Sequence, residues 1–220
     1  MVFVQGGTFW MGCSSEQDDD CSNNEKPVHR VNLNDFYISK HEVTQAQWKA
    51  LMGTNPSNFE GDNLPIENVS WDDAQIFIKC LNDATGKKFR LPTEAEWEYS
   101  ARGGSKSEQY KYSGSNFAEQ VAWSYGNSDS STHPVGTKEA NELGICDMSG
   151  NLWEWCYDWY TAYSSLAQNN PTGALSGHSR VVRGGGWGNG ARSCRVATRS
   201  GISPGSNFVN VGFRVACSSE

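Results

Sequence analysis

The sequence predicts an α+β domain and not an alternating βαβ wind. Three observations point there: short alternating apolar runs near the start, three helix-capping signals within the first half, and no long periodic segment beyond Gly103. The runs Val2-Phe3-Val4, Phe9-Trp10-Met11, Val31-Asn32-Leu33 and Phe36-Tyr37-Ile38, separated by glycine pairs and polar loops, read as strands. Thr44 with Gln47 three residues on is a capping box; Trp48, Leu51 and Met52 follow at helical spacing, and Gly53 stops the helix. Ser70 with Asp73 opens a second helix, whose Ala74, Phe77, Ile78 and Leu81 share one face, with Gly86 as terminator. Thr93 and Glu96 cap a short third helix carrying Trp97. The remainder is rich in Gly, Ser and Asn, broken by aromatic bursts, and reads as loop-heavy chain.

A length of 220 residues, without linker or internal repeat, fits one domain over residues 1–220. The 37% hydrophobic content with nine tryptophans is enough for a sizeable core. A net charge of −7 without a basic stripe argues against a nucleic-acid partner. Apolar runs fall far short of the ~20 residues that cross a bilayer, and the start lacks a basic leader, so the only membrane attachment expected is a lipid anchor on a trimmed leader. The seven cysteines include no CxxC pair and the four histidines are scattered, which gives zinc little support. Cys13 and Cys21 either bridge around Glu16-Gln17-Asp18-Asp19-Asp20 or flank it as free thiols.

Several stretches carry a family signature. They are Gly6-Gly7-Thr8-Phe9 with Met11-Gly12; His41-Glu42-Val43-Thr44; Pro65-Ile66-Glu67-Asn68-Val69-Ser70-Trp71; and Arg90-Leu91-Pro92-Thr93-Glu94-Ala95-Glu96-Trp97. Later come Asp147-Met148-Ser149-Gly150-Asn151-Leu152-Trp153-Glu154-Trp155, Arg183-Gly184-Gly185 and Gly212-Phe213-Arg214. In this order they resemble the formylglycine-generating enzymes and sulfatase-modifying factors. The resemblance implies a C-type-lectin-like fold: two main helices, small twisted antiparallel sheets, much irregular chain and neighbouring termini. It implies core positions for Trp48, Trp71, Trp97, Trp153 and Trp155. The enzymes of this family hold copper with a pair of cysteines beyond the Gly-Gly motif. Here that interval holds Cys194 alone, which counting back from Ala197 and Arg199 places on a strand, so catalysis is not expected. The alternative is a copper-dependent oxidase using Cys194.

The C-terminal segment is more similar to the variable proteins of diversity-generating retroelements, whose Gly-Gly-x-Trp frame is carried here by Gly184-Gly185-Gly186-Trp187, followed by Cys194-Arg195-Val196-Ala197-Thr198-Arg199 and Gly212-Phe213-Arg214. Adenine mutagenesis of asparagine codons never produces Lys, Glu, Gln, Met or Trp, and none of these occurs from Gly188 to Asn210. The resemblance implies a variable ligand-binding segment over about residues 186–210. Its candidate contacts are Trp187, Gly188, Asn189, Gly190, Ser193, Thr198, Ser200, Gly201, Ile202, Ser203, Gly205, Ser206, Phe208, Val209 and Asn210. Small polar residues there would supply adaptable hydrogen bonds and Trp187 and Phe208 rigid apolar contact. The competing reading is an ordinary Gly/Ser-rich loop. Asn207 stands where the family often has Arg. The partner implied is a protein or cell-surface ligand, met by a monomer exposed on, or exported from, a bacterium, with no cofactor required.

In the enzymes, the motif from Asp147 to Glu154 wraps a calcium ion. The resemblance implies that here Asp147 and Glu154 would give carboxylates and Gly150 and Leu152 backbone carbonyls, hard oxygen donors of the kind calcium takes. Alternatively, Asp147 and Glu154 cap loops or pair with arginines such as Arg183 or Arg214 in the interior.

Overall fold

Three capping boxes punctuate the first half of the chain in a computed structural model that describes residues 1–17 and 20–219; Asp18 and Asp19 of the acidic loop, and Glu220, lie outside it. Strands β1 (Val2–Val4), β2 (Gly7–Met11), β3 (His29–Leu33) and β4 (Phe36–Ile38) precede helices α1 (Gln45–Met52) and α2 (Trp71–Thr85). Strand β5 (Phe89–Arg90) leads into α3 (Glu94–Ala101), and a single turn, α4 (Ala118–Val121), runs into β6 (Ala122–Trp123). The second half adds β7 (Ser149–Gly150), β8 (Trp153–Trp159), β9 (Gln168–Asn169), β10 (Arg180–Arg183), β11 (Arg199–Ile202), β12 (Val211–Gly212) and β13 (Ala216–Ser218).

Each cap works reciprocally. The Thr44, Ser70 and Thr93 hydroxyls accept from the backbone N–H of Gln47, Asp73 and Glu96, whose side chains accept from the cap N–H in return. Gly53 (φ 73°) and Gly86 (φ 68°) end α1 and α2 in the left-handed conformation.

One sheet runs β1-β4-β13-β5 and so brings the two ends of the chain together. A second runs β11-β10-β8-β12 and carries the C-terminal segment. The smaller sheets are β2-β3-β9 and β6-β7. Most pairings are antiparallel as expected, but β12 pairs with β8, β9 with β3 and β7 with β6 in parallel, because long irregular excursions return these short strands from the same direction.

Two large apolar clusters form most of the core, with a smaller third around Tyr112 and Val121. One gathers Val4, Phe36, Ile38, Trp97, Tyr99 and Ile145; the other gathers Trp48, Phe77, Leu91, Trp155 and Phe213. Trp48 and Phe77 stack at 5.3 Å, and Phe213 meets Phe77 edge-on at 5.5 Å. Trp71 and Trp153 depart from the expected core placement, since both are half-buried at its rim. Their indole N–H groups need acceptors, and find them in Cys156 O and Asn189 Oδ1.

Candidate functional site: the Gly184–Asn210 surface

The candidate segment begins where β10 turns sharply. Gly184 and Gly185 have φ of 96° and 71°, and a Cβ on Gly185 would lie 2.7 Å from Ser193 O, so the chain folds back on itself there only because both residues are glycine. Buried arginines anchor the returning chain. Arg195 makes a bidentate pair with Glu25 at 2.7 and 2.9 Å. Arg199 grips Glu94 at 2.6 and 2.8 Å, and Arg183 donates to that same carboxylate at 2.9 Å and to Glu98.

Between these anchors no candidate contact residue is buried. Gly188, Gly190, Ser203, Gly205, Phe208 and Val209 are exposed; Trp187, Asn189, Ser193, Thr198, Ser200, Gly201, Ile202, Ser206 and Asn210 are half-buried. They divide into three groups. Around Trp187, the indole N–H donates to Val209 O at 3.1 Å, and Asn210 O accepts from Trp153 N at 2.9 Å, bringing Phe208 and Val209 beside it. Ser200, Gly201 and Ile202 lie on the edge strand β11. Ser193 and Thr198 flank Arg192, which donates to the backbone of Asp20 at 2.9 and 3.0 Å. That last group rests on a loop closed by a Cys13–Cys21 disulfide, the first of the two alternatives left open for these cysteines.

Two of the candidates also serve the scaffold. Asn189 accepts from the Trp153 indole at 2.8 Å, and its carbonyl accepts from Tyr125 N at 2.9 Å. A Cβ on Gly201 would lie 2.7 Å from the Tyr160 ring, so this position admits glycine alone without a shift of that ring. The surface also includes residues that local patterning leaves out: Phe59 meets Trp187 edge-on at 5.6 Å, and Tyr125, 73% exposed, borders Asn189. Neither has a motif to mark it, because tertiary contact alone brings it there.

Cys194 corrects one expectation. It closes a short 3-10 turn, Ala191–Cys194, and does not lie on a strand, because the chain has yet to reach β11. Its side chain is buried with Tyr112, Ala118, Val121 and Ala122, and burial pushes the thiol up to about 12. Burial likewise raises the thiols of Cys146 and Cys156. A reactive or metal-ligating cysteine needs its thiolate accessible near neutral pH, and these surroundings oppose that.

At the Asp147–Glu154 turn, Glu154 pairs with Arg214 through both oxygens at 2.7 Å and also accepts from the Trp97 indole at 2.8 Å. The interior ion pair is thus present, and three donors already occupy that carboxylate. Asp147, at φ 60°, accepts from Gly136 N at 2.7 Å through Oδ2, while its buried Oδ1 has no partner. Glu42 Oε1 is in the same situation. Burial raises both acids, and Asp147 and Glu154 push Glu42 up further. Gly150 and Leu152 are buried in the same turn, Gly150 so tightly that a Cβ would lie 2.4 Å from Trp123 O. Unpartnered buried carboxylate oxygens of Asp147 and Glu42 suit a hard cation held with backbone carbonyls. Among the described residues no three His, Cys, Asp or Glu side chains converge as a metal cluster.

The model of the sulfatase-modifying factor enzyme 1-like domain matches residues 1–219. The chain is 36% identical to the chaperone protein LppX of Paenibacillus barcinonensis, over 85% of its own length and 78% of that protein. It is 35% identical to the formylglycine-generating enzyme of Mus musculus, over 98% of its own length and 74% of the enzyme. The solved structure of variable protein 1 from Treponema denticola superposes with a TM-score of 0.91 at 32% identity, covering 100% of this chain and 95% of that one. With the Gly-Gly turn, the buried arginine anchors and the terminal sheet all in place, the chain belongs to the sulfatase-modifying factor family and has a C-type-lectin-like fold similar to that of the Treponema variable protein.

Proposed function

We propose that the protein is a non-catalytic ligand-binding protein whose segment over residues 186–210, diversified by a retroelement, recognises a protein or cell-surface partner. One observation carries the reading most of the way: every candidate position is at least partly exposed, while Arg195 and Arg199 between them are buried and ion-paired. A scaffold of this kind lets surface residues change without disturbing the core. The likeness to the Treponema variable protein supports the reading. The Cys13–Cys21 disulfide supports an exported or surface location, since such bonds persist outside the reducing cytosol. We take the protein to act as a monomer with no required cofactor, and calcium at Asp147 as a structural ion.

The test is a library randomised at Asn189, Thr198, Ser200, Ile202, Ser206, Phe208, Val209 and Asn210. Folded members with different binding partners are the expected result; general collapse of the library would overturn the reading. The 35% identity to the mouse enzyme favours a second reading, a formylglycine-generating oxidase. Copper-dependent turnover of a cysteine-containing peptide would establish it, against the sealed position of Cys194.

A further inference from the structure

Most arginines of this protein hold a carboxylate: Arg90, Arg102, Arg183, Arg195, Arg199 and Arg214 are all ion-paired. Arg180 is held by different means. Its guanidinium carbon lies 3.5 Å from the Trp159 ring centre on one side and 3.8 Å from that of Trp71 on the other, with Tyr157 at 5.8 Å. Nη1 donates to Tyr157 O at 2.6 Å, whereas Nε is buried with no partner. Among the described residues no carboxylate reaches it within ion-pair distance.

Two indoles thus fix the plane of a partly exposed guanidinium and leave Nη2 without an acceptor. A guanidinium binds best edge-on, through two parallel N–H groups to a carboxylate. Stacking has already removed the rotamer freedom that a free arginine would lose on binding. We propose that Arg180, clamped between Trp71 and Trp159, is a binding site for an acidic side chain of a protein partner.

Position and neighbours favour that occupant. Arg180 pairs across the sheet with Trp159 on β8 and with Ile202 on β11, and directly opposed residues share a face, so Ile202 stands beside the guanidinium. Trp71 N donates to Pro204 O at 3.0 Å, which ties the clamp to the segment through Ser203 and Pro204. An acidic sugar would gain from a bare aromatic face to stack on, and none is offered here. The guanidinium covers one face of each indole, Gly177 lies against the Trp159 ring, and Trp71 packs on the core. The carboxylate site stands on this geometry alone; that its occupant belongs to the partner read by residues 186–210 rests on the proposed function.

The experiment is a titration of the full chain, labelled for nitrogen NMR, with N-acetyl-aspartate N-methylamide, its asparagine counterpart and glucuronate. The aspartate probe should shift the Arg180 Nε–H and the Trp71 and Trp159 indole signals saturably, and the asparagine probe should not. Arg180→Gln should abolish the shifts and Arg180→Lys, which keeps the charge but not the fork, should weaken binding at least tenfold; if the first variant fails to fold, the second carries the test. Equal shifts by the asparagine probe, or undiminished shifts in the folded variants, overturn the site. Tighter binding of glucuronate than of the aspartate probe overturns the protein-partner assignment in favour of an acidic saccharide. Collapse of the segment library would sink the proposed function and leave this titration, made on the unaltered chain, to be decided separately.

Discussion

Trp153 donates its indole N–H to Asn189 Oδ1 at 2.8 Å, so a residue of the exposed segment holds a tryptophan of the family motif in place. Asn189→Ala should leave this half-buried indole without its acceptor and cost about 0.5–1.5 kcal/mol in chemical denaturation, the usual worth of one hydrogen bond. Tryptophan fluorescence should report a looser Trp153 in that variant, and Asn189→Asp, which keeps the acceptor, should restore it. Equal stability of all three forms would remove Asn189 from the scaffold.

Phe208 and Phe213 make a matched pair for separating surface from core. Phe208 is 47% exposed and Phe213 is 0% exposed. Phe208→Ala should change stability by no more than about 0.5 kcal/mol, as surface changes do. Phe213→Ala, which opens a cavity against Trp48 and Phe77, should cost about 3–5 kcal/mol. If Phe208→Ala unfolds the protein, that ring is architecture and leaves the recognition surface.

Arg214 and Glu154 are both fully buried and satisfy each other through two bonds at 2.7 Å. Glu154→Ala strands a buried guanidinium and should cost about 3–5 kcal/mol. Thermal unfolding of Glu154→Ala checks this, and a loss below about 1 kcal/mol would mean that Arg214 finds another acceptor.

Asp158 gives a pH dependence of defined sign. It accepts from Glu94 N at 2.9 Å at the start of α3, but burial, reinforced by the Glu94 charge, pushes it up to about 7. Because its folded value lies above its unfolded one, the stability it contributes is complete below about pH 3.8 and is lost as the pH rises through about 7. Asp158→Asn keeps an acceptor for Glu94 N and cannot ionise. Between pH 5 and 8 the parent should therefore lose stability relative to this variant, by an amount on the order of 2.5 kcal/mol at most. Parallel pH profiles would refute the assignment.

For the ion proposed at Asp147, linkage sets the expectation: calcium at about 100 times its dissociation constant should stabilise the fold by about 2.7 kcal/mol, and chelator should remove that gain. Asp147→Asn should abolish the response. A melting temperature indifferent to calcium would leave the unpartnered Oδ1 of Asp147 to protonation.

Local chemistry wrote much of this protein legibly. A capping box involves residues three apart, and a strand pattern needs only alternate side chains, so Thr44, Ser70 and Thr93 and the first four strands could be read without knowing what they pack against. The tertiary structure alone decided which partners those elements would meet. The sequence offered Arg214 to Glu154 only as one alternative among calcium, loop caps and Arg183, and the packed chain chose it across 60 residues; nothing near Phe59 or Tyr125 states that they border residues 187–189. Trp71 and Trp153 read as core by motif but lie at the rim, where their N–H groups reach acceptors supplied by distant chain. Arg180 looked like one more basic residue until two tryptophans, 109 and 21 residues before it, closed on its faces. Burial and electrostatic pairing depend on where remote segments end up in space, which is a property of the whole packed chain and not of any window within it.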